Sequence, residues 1–364
     1  MQIKEILNCL DKFASLNLQE SYDNSGLIIG NTDNEFKKAL ICLDCTEEII
    51  EEAINKKCNL IISHHPLIFD GLKKINSNTH TGRSVIKAIK NDISLFAIHT
   101  NIDNHVKGLN SILAKKLGLK NCRVLSPMKD ILRKIVTFCP VEHAEKVRNA
   151  LFDAGAGHIG NYDNCSYNIT GEGSFRALEN ANPFVGEISK LHFEKEIRIE
   201  TVFPVYKQKE IIEALKKSHP YEEIAFDIYA LDNECKFAGA GIIGELEQEI
   251  ETREYLMKIK EITKVKCLKF SKIDKQKIKK VAVCGGAGGF LIKNAHEEKA
   301  DIYITSEIKY HSFFDVPDGM IIVDAGHYET EQFIKELLYD ILNKNFPNFA
   351  FLISEINSNP VNYL

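Results

Sequence analysis

Short apolar runs alternate with amphipathic stretches along most of the chain. From residue 38 the order is "KALICLD", a helix-like "CTEEIIEEAINKKC", then "NLIISHH"; from residue 280 it is "KVAVCGG", "AGGFLIKNAHEEKA", then "DIYITSE". Each is followed by another strand and helix: "ISLFAIHTNID" with "NHVKGLNSILAKKLG", and "MIIVDAG" with "HYETEQFIKELLYDILNK". Short β-branched runs between amphipathic helices predict an α/β fold with mostly parallel sheets. The two copies have similar spacing, so the core reads as duplicated.

Residues 127–240 differ in character, between "SPMKD" and "AGAGIIG". Within them "KIVTFCPVEHAEKVRNALFDAGA" and "IRIETVFPVYKQKEIIEALKKSHP" each give a strand, a Pro-Val turn and an amphipathic helix. Two such units predict a ferredoxin-like α+β domain, inserted between core halves 1–126 and 241–364.

In sheets with parallel strands, ligands gather beyond the carboxyl ends of the strands. His64 and His65 end one strand there, His99 and Asp103 follow the next, and Ser306, Glu307 and His327 end the matching strands of the second copy. Pro66 cannot donate to a ladder, so the strand stops at the histidine pair and releases it. Adjacent side chains on a strand diverge, and the pair is therefore better placed to serve two neighbouring metals than to chelate one. His327 and Glu331, four apart at a helix start, lie one turn apart on one face. That spacing is common on solvated helices, but together His64, His65, Asp103, His327 and Glu331 gather imidazoles and carboxylates at one sheet edge. Such donors suit zinc, iron or manganese. Two-metal sites commonly activate water and stabilise an oxyanion during hydrolysis.

Composition narrows the partners. The 364 residues are 44% hydrophobic with a net charge of -5, so a buried core is expected and no basic block argues for nucleic acid. The charged amphipathic "MQIKEILNCLDKFASLNLQ" lacks the apolar segment of a signal peptide, and no later run reaches the ~18 apolar residues of a membrane span. A cytoplasmic protein is expected. Of ten cysteines, Cys42 and Cys284 sit inside apolar runs, where free cysteine packs as a small hydrophobe. Cys42 and Cys45 form one CxxC without a second pair, too little for a zinc ribbon.

The stretches "SYDNSGLIIG", "ALICLDCTEEIIEEAI", "LIISHHPLIF", "AIHTNIDNHVKGLNSILAKKLGL", "VAVCGGAGGFLIKNA", "ADIYITSEIKYHSFFD" and "DAGHYETE" resemble, in order, the GTP cyclohydrolase I type 2 homologs, or NIF-three-like proteins. The resemblance covers nearly all of residues 1–125 and 245–345. It implies a dinuclear centre ligated by His64, His65, Asp103, His327 and Glu331, with Glu331 bridging two divalent ions per subunit. It also implies a homohexameric toroid and an insert similar to PII or CutA proteins. The chain departs from the family at Tyr22, often Trp there, and at Ser306 and Glu307, often Gly-Asp.

The resulting expectation is a metal-dependent hydrolase acting on a nucleotide or related phosphorylated small molecule. His99, four residues before Asp103, is a candidate proton shuttle or a satisfied strand-end histidine, and His311 is a candidate neighbour of the crevice. Asp44 is placed to orient a ligand histidine. Gly285, Gly286, Gly288 and Gly289 read either as a phosphate-receiving turn or as a tight turn permitting close packing. His219, Tyr221, Glu222 and Glu223 in "SHPYEE" read as a helix end before an edge strand, ahead of a small-ligand site. The alternative to an enzyme is a non-catalytic regulatory hexamer whose insert senses a small molecule.

Overall fold

The runs Lys38–Cys42, Leu60–Ser63 and Ser94–Ala97 are parallel neighbours in a five-stranded sheet. Ala350–Ile353 extends it in parallel beside Lys38–Cys42, and Gly26–Ile29 closes the other edge antiparallel to Ser94–Ala97. Successive residues turn to opposite faces, and both faces are covered. Ile41, Ile62 and Phe96 pack with Ile6 and Leu10 of the helix Ile3–Phe13 and Leu338 of Ile334–Asn345. Leu40, Ile61 and Leu95 pack with Ile49 and Ile50 of Glu47–Asn55 and Ala88 of His80–Lys90. Burial on both sides explains why these strands are continuously apolar rather than alternating.

A six-stranded sheet has the order Lys269–Phe270, Ile321–Asp324, Ile302–Thr305, Lys277–Val283, Cys235–Glu251 and Lys120–Met128. Its three strands Ile321–Asp324, Ile302–Thr305 and Lys277–Val283 are parallel; Lys269–Phe270 and Cys235–Glu251 pair antiparallel. It too buries two faces: Val283, Ile304 and Val323 meet Tyr255 and Ile259 of Thr252–Thr263, while Ala282, Tyr303 and Ile322 meet Leu291 and Ala295.

The computed structural model describes residues 1–364, in two compact units, Met1–Pro127 with Phe237–Leu364, and Met128–Lys236. The second unit runs strand Leu132–Pro140, helix Ala144–Asp153, strands Ser166–Arg176 and Leu191–Pro204, helix Gln208–Ser218 and strand Phe226–Ala230. Its sheet, in the order Ser166–Arg176, Leu191–Pro204, Leu132–Pro140, Phe226–Ala230, is antiparallel throughout. Both helices lie on one face through Val147, Leu151, Ile211 and Leu215 against Ile135, Ile199 and Phe203. No helix of the chain is long and apolar enough to cross a membrane.

The long pattern "HYETEQFIKELLYDILNK" divides into His327–Glu331 and Ile334–Asn345. Gly326, at φ +81, turns the chain sharply off the strand, a conformation that only glycine takes cheaply.

Candidate metal centre

His64 and His65 follow directly on the buried strand Leu60–Ser63, and their main-chain N–H groups both donate to Leu43 O. The rings end 4.9 Å apart at 46° to each other. His64 Nδ1 lies 2.9 Å from the carbonyl of Ile98. A carbonyl can only accept, so the proton sits on Nδ1 and the Nε2 lone pair is free. His65 Nδ1 donates to Asp44 Oδ1 at 2.7 Å, and His327 Nδ1 to Glu307 Oε1 at 2.8 Å. Three imidazoles are thus held through one nitrogen with the other aimed inward, the usual means of orienting metal-ligating histidines.

The inward atoms converge on Glu331, whose side chain is 3% exposed. Its Oε2 is 2.9 Å from His65 Nε2 and 3.0 Å from His327 Nε2. These two nitrogens are 3.4 Å apart. Glu331 Oε1 is 3.8 Å from His64 Nε2, which is 3.6 Å from Asp103 Oδ1. His65, His327 and Glu331 form one potential ion-holding triad and His64, Asp103 and Glu331 another, with Glu331 common to both. His64 Nε2, Asp103 Oδ1 and Glu331 Oε2 are buried without a well-aligned hydrogen bond. Such orphaned polar atoms are costly unless something else satisfies them, and the converging lone pairs and carboxylate oxygens fit a cation.

Electrostatics separates these groups. Burial lowers the His64 pKa to about 4, keeping the ring neutral. Burial also opposes charge on His65, but the hydrogen bond to Asp44 and the Glu331 carboxylate beside its Nε2 outweigh it and raise its pKa to about 10. Burial and the nearby Glu331 charge push Asp103 well above the carboxylate range. Burial would do the same to Glu331, yet the imidazoles around it hold it well below. Two close carboxylates resist ionising together, and the imidazoles favour ionisation of Glu331.

His99 completes a third potential triad with His64 and His65, its ring centroid 5.2 Å from each. Its Nδ1 donates to Asp23 Oδ1 at 2.8 Å. Asp23, which the sequence reading passed over, has a fully buried side chain and also accepts from Ser25 Oγ, Thr100 N and Thr100 Oγ1. Burial opposes its charge, but these bonds, led by His99, hold it well below the usual carboxylate range. Its only sequence signal was an acidic residue between polar neighbours in "SYDNSG".

The cluster opens into a cleft of about 410 Å³, which Tyr22, Phe69, Asp103, Phe290 and His327 help to line. His311 is exposed, packed against Tyr310 and Phe314, and does not line the cleft. Gly285, Gly286 and Gly288 serve packing, whereas Gly289 is exposed and a Cβ on it would meet nothing within 4 Å. Gly285 N donates to Asn110 Oδ1, Gly286 N to Thr330 Oγ1 and Gly288 N to Thr305 Oγ1, so these three donors are already used. Gly286 has φ +65, and a Cβ there would come within 2.2 Å of Glu331 Oε1. Cys42 and Cys45 are free thiols in the core on one face of the five-stranded sheet.

A model of the Duf34/NIF3 (NGG1p interacting factor 3) family matches residues 1–360. The chain is similar to the "GTP cyclohydrolase 1 type 2 homolog" of Bacillus subtilis (strain 168), 38% identical across 99% of this chain and 98% of that protein. A Staphylococcus aureus (strain COL) protein of the same name is 33% identical over the full length of both. Among solved structures it resembles a Bacillus cereus protein related to NIF3, with TM-score 0.87, 37% identity, and 100% and 99% of the two chains covered. Staphylococcus aureus protein SA1388 matches with TM-score 0.78, 31% identity, and the same coverage.

Proposed function

The chain belongs to the Duf34/NIF3 family, and from that premise we propose that its cluster holds two divalent metal ions in a hydrolase for a nucleotide or related phosphorylated small molecule. The observation that carries this reading is the sharing of Glu331 between two triads. On it, His65 and His327 would hold one ion and His64 and Asp103 the other, with Glu331 a ligand available to both. Zinc, iron and manganese all suit these donors. A bound pair of such ions supplies water activation and charge stabilisation for hydrolysis.

The protein's own groups have distinct tasks. Asp44, Glu307 and the Ile98 carbonyl hold the ligand rings in one tautomer. His99, fixed through Nδ1 by Asp23, stands beside the cluster to carry a proton between water and substrate. Tyr22, Phe69 and Phe290, each partly exposed at the cleft, offer aromatic surface to a planar base. The name shared by the relatives points to GTP as a first substrate to try.

The same reading takes the core as a duplicated NIF-three-like unit, halves 1–126 and 241–364, in a cytoplasmic homohexameric toroid. The strand and helix order of residues 132–230 supports a ferredoxin-like, PII- or CutA-like insert at 127–240. One observation favours the non-catalytic regulatory alternative: this unit contains a cavity of about 710 Å³, larger than the cleft at the cluster.

Metal content and turnover of GTP and other nucleotides, measured on one purified sample and on a His65→Ala, Glu331→Ala variant, test the reading. Two ions per chain with turnover lost in the variant is the expected result. Two ions without turnover would replace the hydrolase by the regulatory protein, and no ion under metal-replete conditions would overturn both.

A further inference from the structure

The 710 Å³ cavity lies within the unit Met128–Lys236, on the sheet face opposite its helices. Ile135, Cys139, Ile199 and Phe203 face the helices, so strand alternation sends Phe138, Glu196 and Arg198 the other way. Phe138 and Ile169 flank Arg198 across the sheet, and Gly171 pairs with Glu196.

Gly171 and Gly173 weaken a strand interior, and neither has the positive φ that would require glycine. A Cβ at Gly171 would meet nothing within 4 Å, and one at Gly173 would meet Glu196 Oε2 at 2.3 Å. The two glycines therefore leave the cavity floor bare. Its walls are aromatic, with Phe175 and Phe184 having ring centroids 6.3 and 6.2 Å from Tyr221. Asn182 N donates to Glu222 Oε1 at 2.7 Å, tying the two segments beside the opening.

Two polar groups on this floor have bonding capacity left over. Glu196 Oε1 accepts from Tyr221 Oη at 2.9 Å, which leaves Oε2 above Gly173. Arg198 spends Nη2 on Glu200 at 2.7 Å, while its Nε is buried without a partner. A buried donor left unsatisfied costs free energy that a ligand acceptor would recover. Aromatic walls, a carboxylate and a guanidinium two residues along one strand call for a flat molecule with N–H donors on one edge and an acceptor on the next.

We propose that this cavity binds a flat nitrogen heterocycle of the guanine type, its adjacent ring and amino N–H groups on Glu196 and its carbonyl or ring nitrogen on Arg198. Arginine on guanine O6 and N7 is a common pairing. The adenine edge offers a single donor group and matches the pair less well. The proposal stands apart from the metal centre and does not depend on it.

Isothermal titration calorimetry of the full chain with guanosine, and with inosine, which lacks the amino group, tests it. Guanosine should bind, with inosine about tenfold weaker or more. Gly171→Val, which fills the floor, and Glu196→Gln, which removes the charge, should each weaken guanosine by a similar factor while circular dichroism stays unchanged. No heat with guanosine up to about 1 mM overturns the proposal, as does unchanged guanosine affinity in both variants. A Gly171→Val protein with altered native mass, in a chain whose parent binds no guanosine, would assign this face to a second copy instead.

Discussion

His65 and Asp44 are joined by a 2.7 Å hydrogen bond from imidazole Nδ1 to carboxylate Oδ1, and Asp44 Oδ2 in turn accepts from Ser358 Oγ at 2.7 Å. The bond fixes which way the histidine faces, because it commits one nitrogen and turns the other to Glu331.

Replacing Asp44 with Asn should therefore leave the fold intact and weaken metal retention by about 10- to 100-fold, the usual cost of losing a partner behind a ligand. Competition against a chelator of known affinity measures it. Ser358→Ala, one bond further out, should have a smaller effect in the same direction.

Gly286→Ala should damage the centre without touching a ligand. The φ of +65 costs an L-residue about 1 kcal/mol or more, and the new Cβ displaces the Glu331 carboxylate. A lower midpoint in urea together with lost metal stoichiometry is expected; a loss of stability with full metal content would contradict the packing role given to this glycine.

Asp23 makes stability sensitive to acid. Its folded pKa lies below its unfolded value near ~3.9, so the unfolded chain binds the extra proton. The contribution is present above that pH and lost as pH falls through the lower folded value. Asp23→Asn should cost roughly 1–3 kcal/mol at neutral pH and flatten the acid limb of stability. Urea unfolding from pH 7 down to about pH 2 reads both, the loss beginning near the unfolded value and growing below it.

Thiol reactivity should follow burial. Burial, with Asp44 adding to it, pushes the Cys45 thiol up to about 12, and Cys284 rises to about 12 for the same leading reason. The exposed Cys267 should react with a disulfide reagent in the native protein, whereas Cys42, Cys45 and Cys284 should react only on unfolding.

Much of the site was readable because its donors sit where strands stop. The apolar run into His64 and His65, ended by Pro66, and the His327 to Glu331 spacing put donors at sheet edges before any coordinates. Asp23 escaped notice because its meaning lies in a bond to a residue 76 positions away, and nothing local marks such a partner. The glycines at 285 to 288 allowed two interpretations for the same reason. Their donors are taken by Asn110, Thr330 and Thr305, a fact of tertiary contact. In residues 127–240 the helix-facing pattern was legible, but the bare floor at Gly171 and Gly173 has meaning only once Glu196 lies across from it.

The bond between Ser358 and Asp44 spans 314 residues, and the contact between His65 and His327 spans 262. During synthesis, which proceeds from the N-terminus, His64 and His65 emerge long before Glu331 has been added. The growing chain presents unmatched imidazoles until residue 331 brings the shared carboxylate to them. A chain terminated before Glu331 lacks the shared carboxylate and cannot form the cluster.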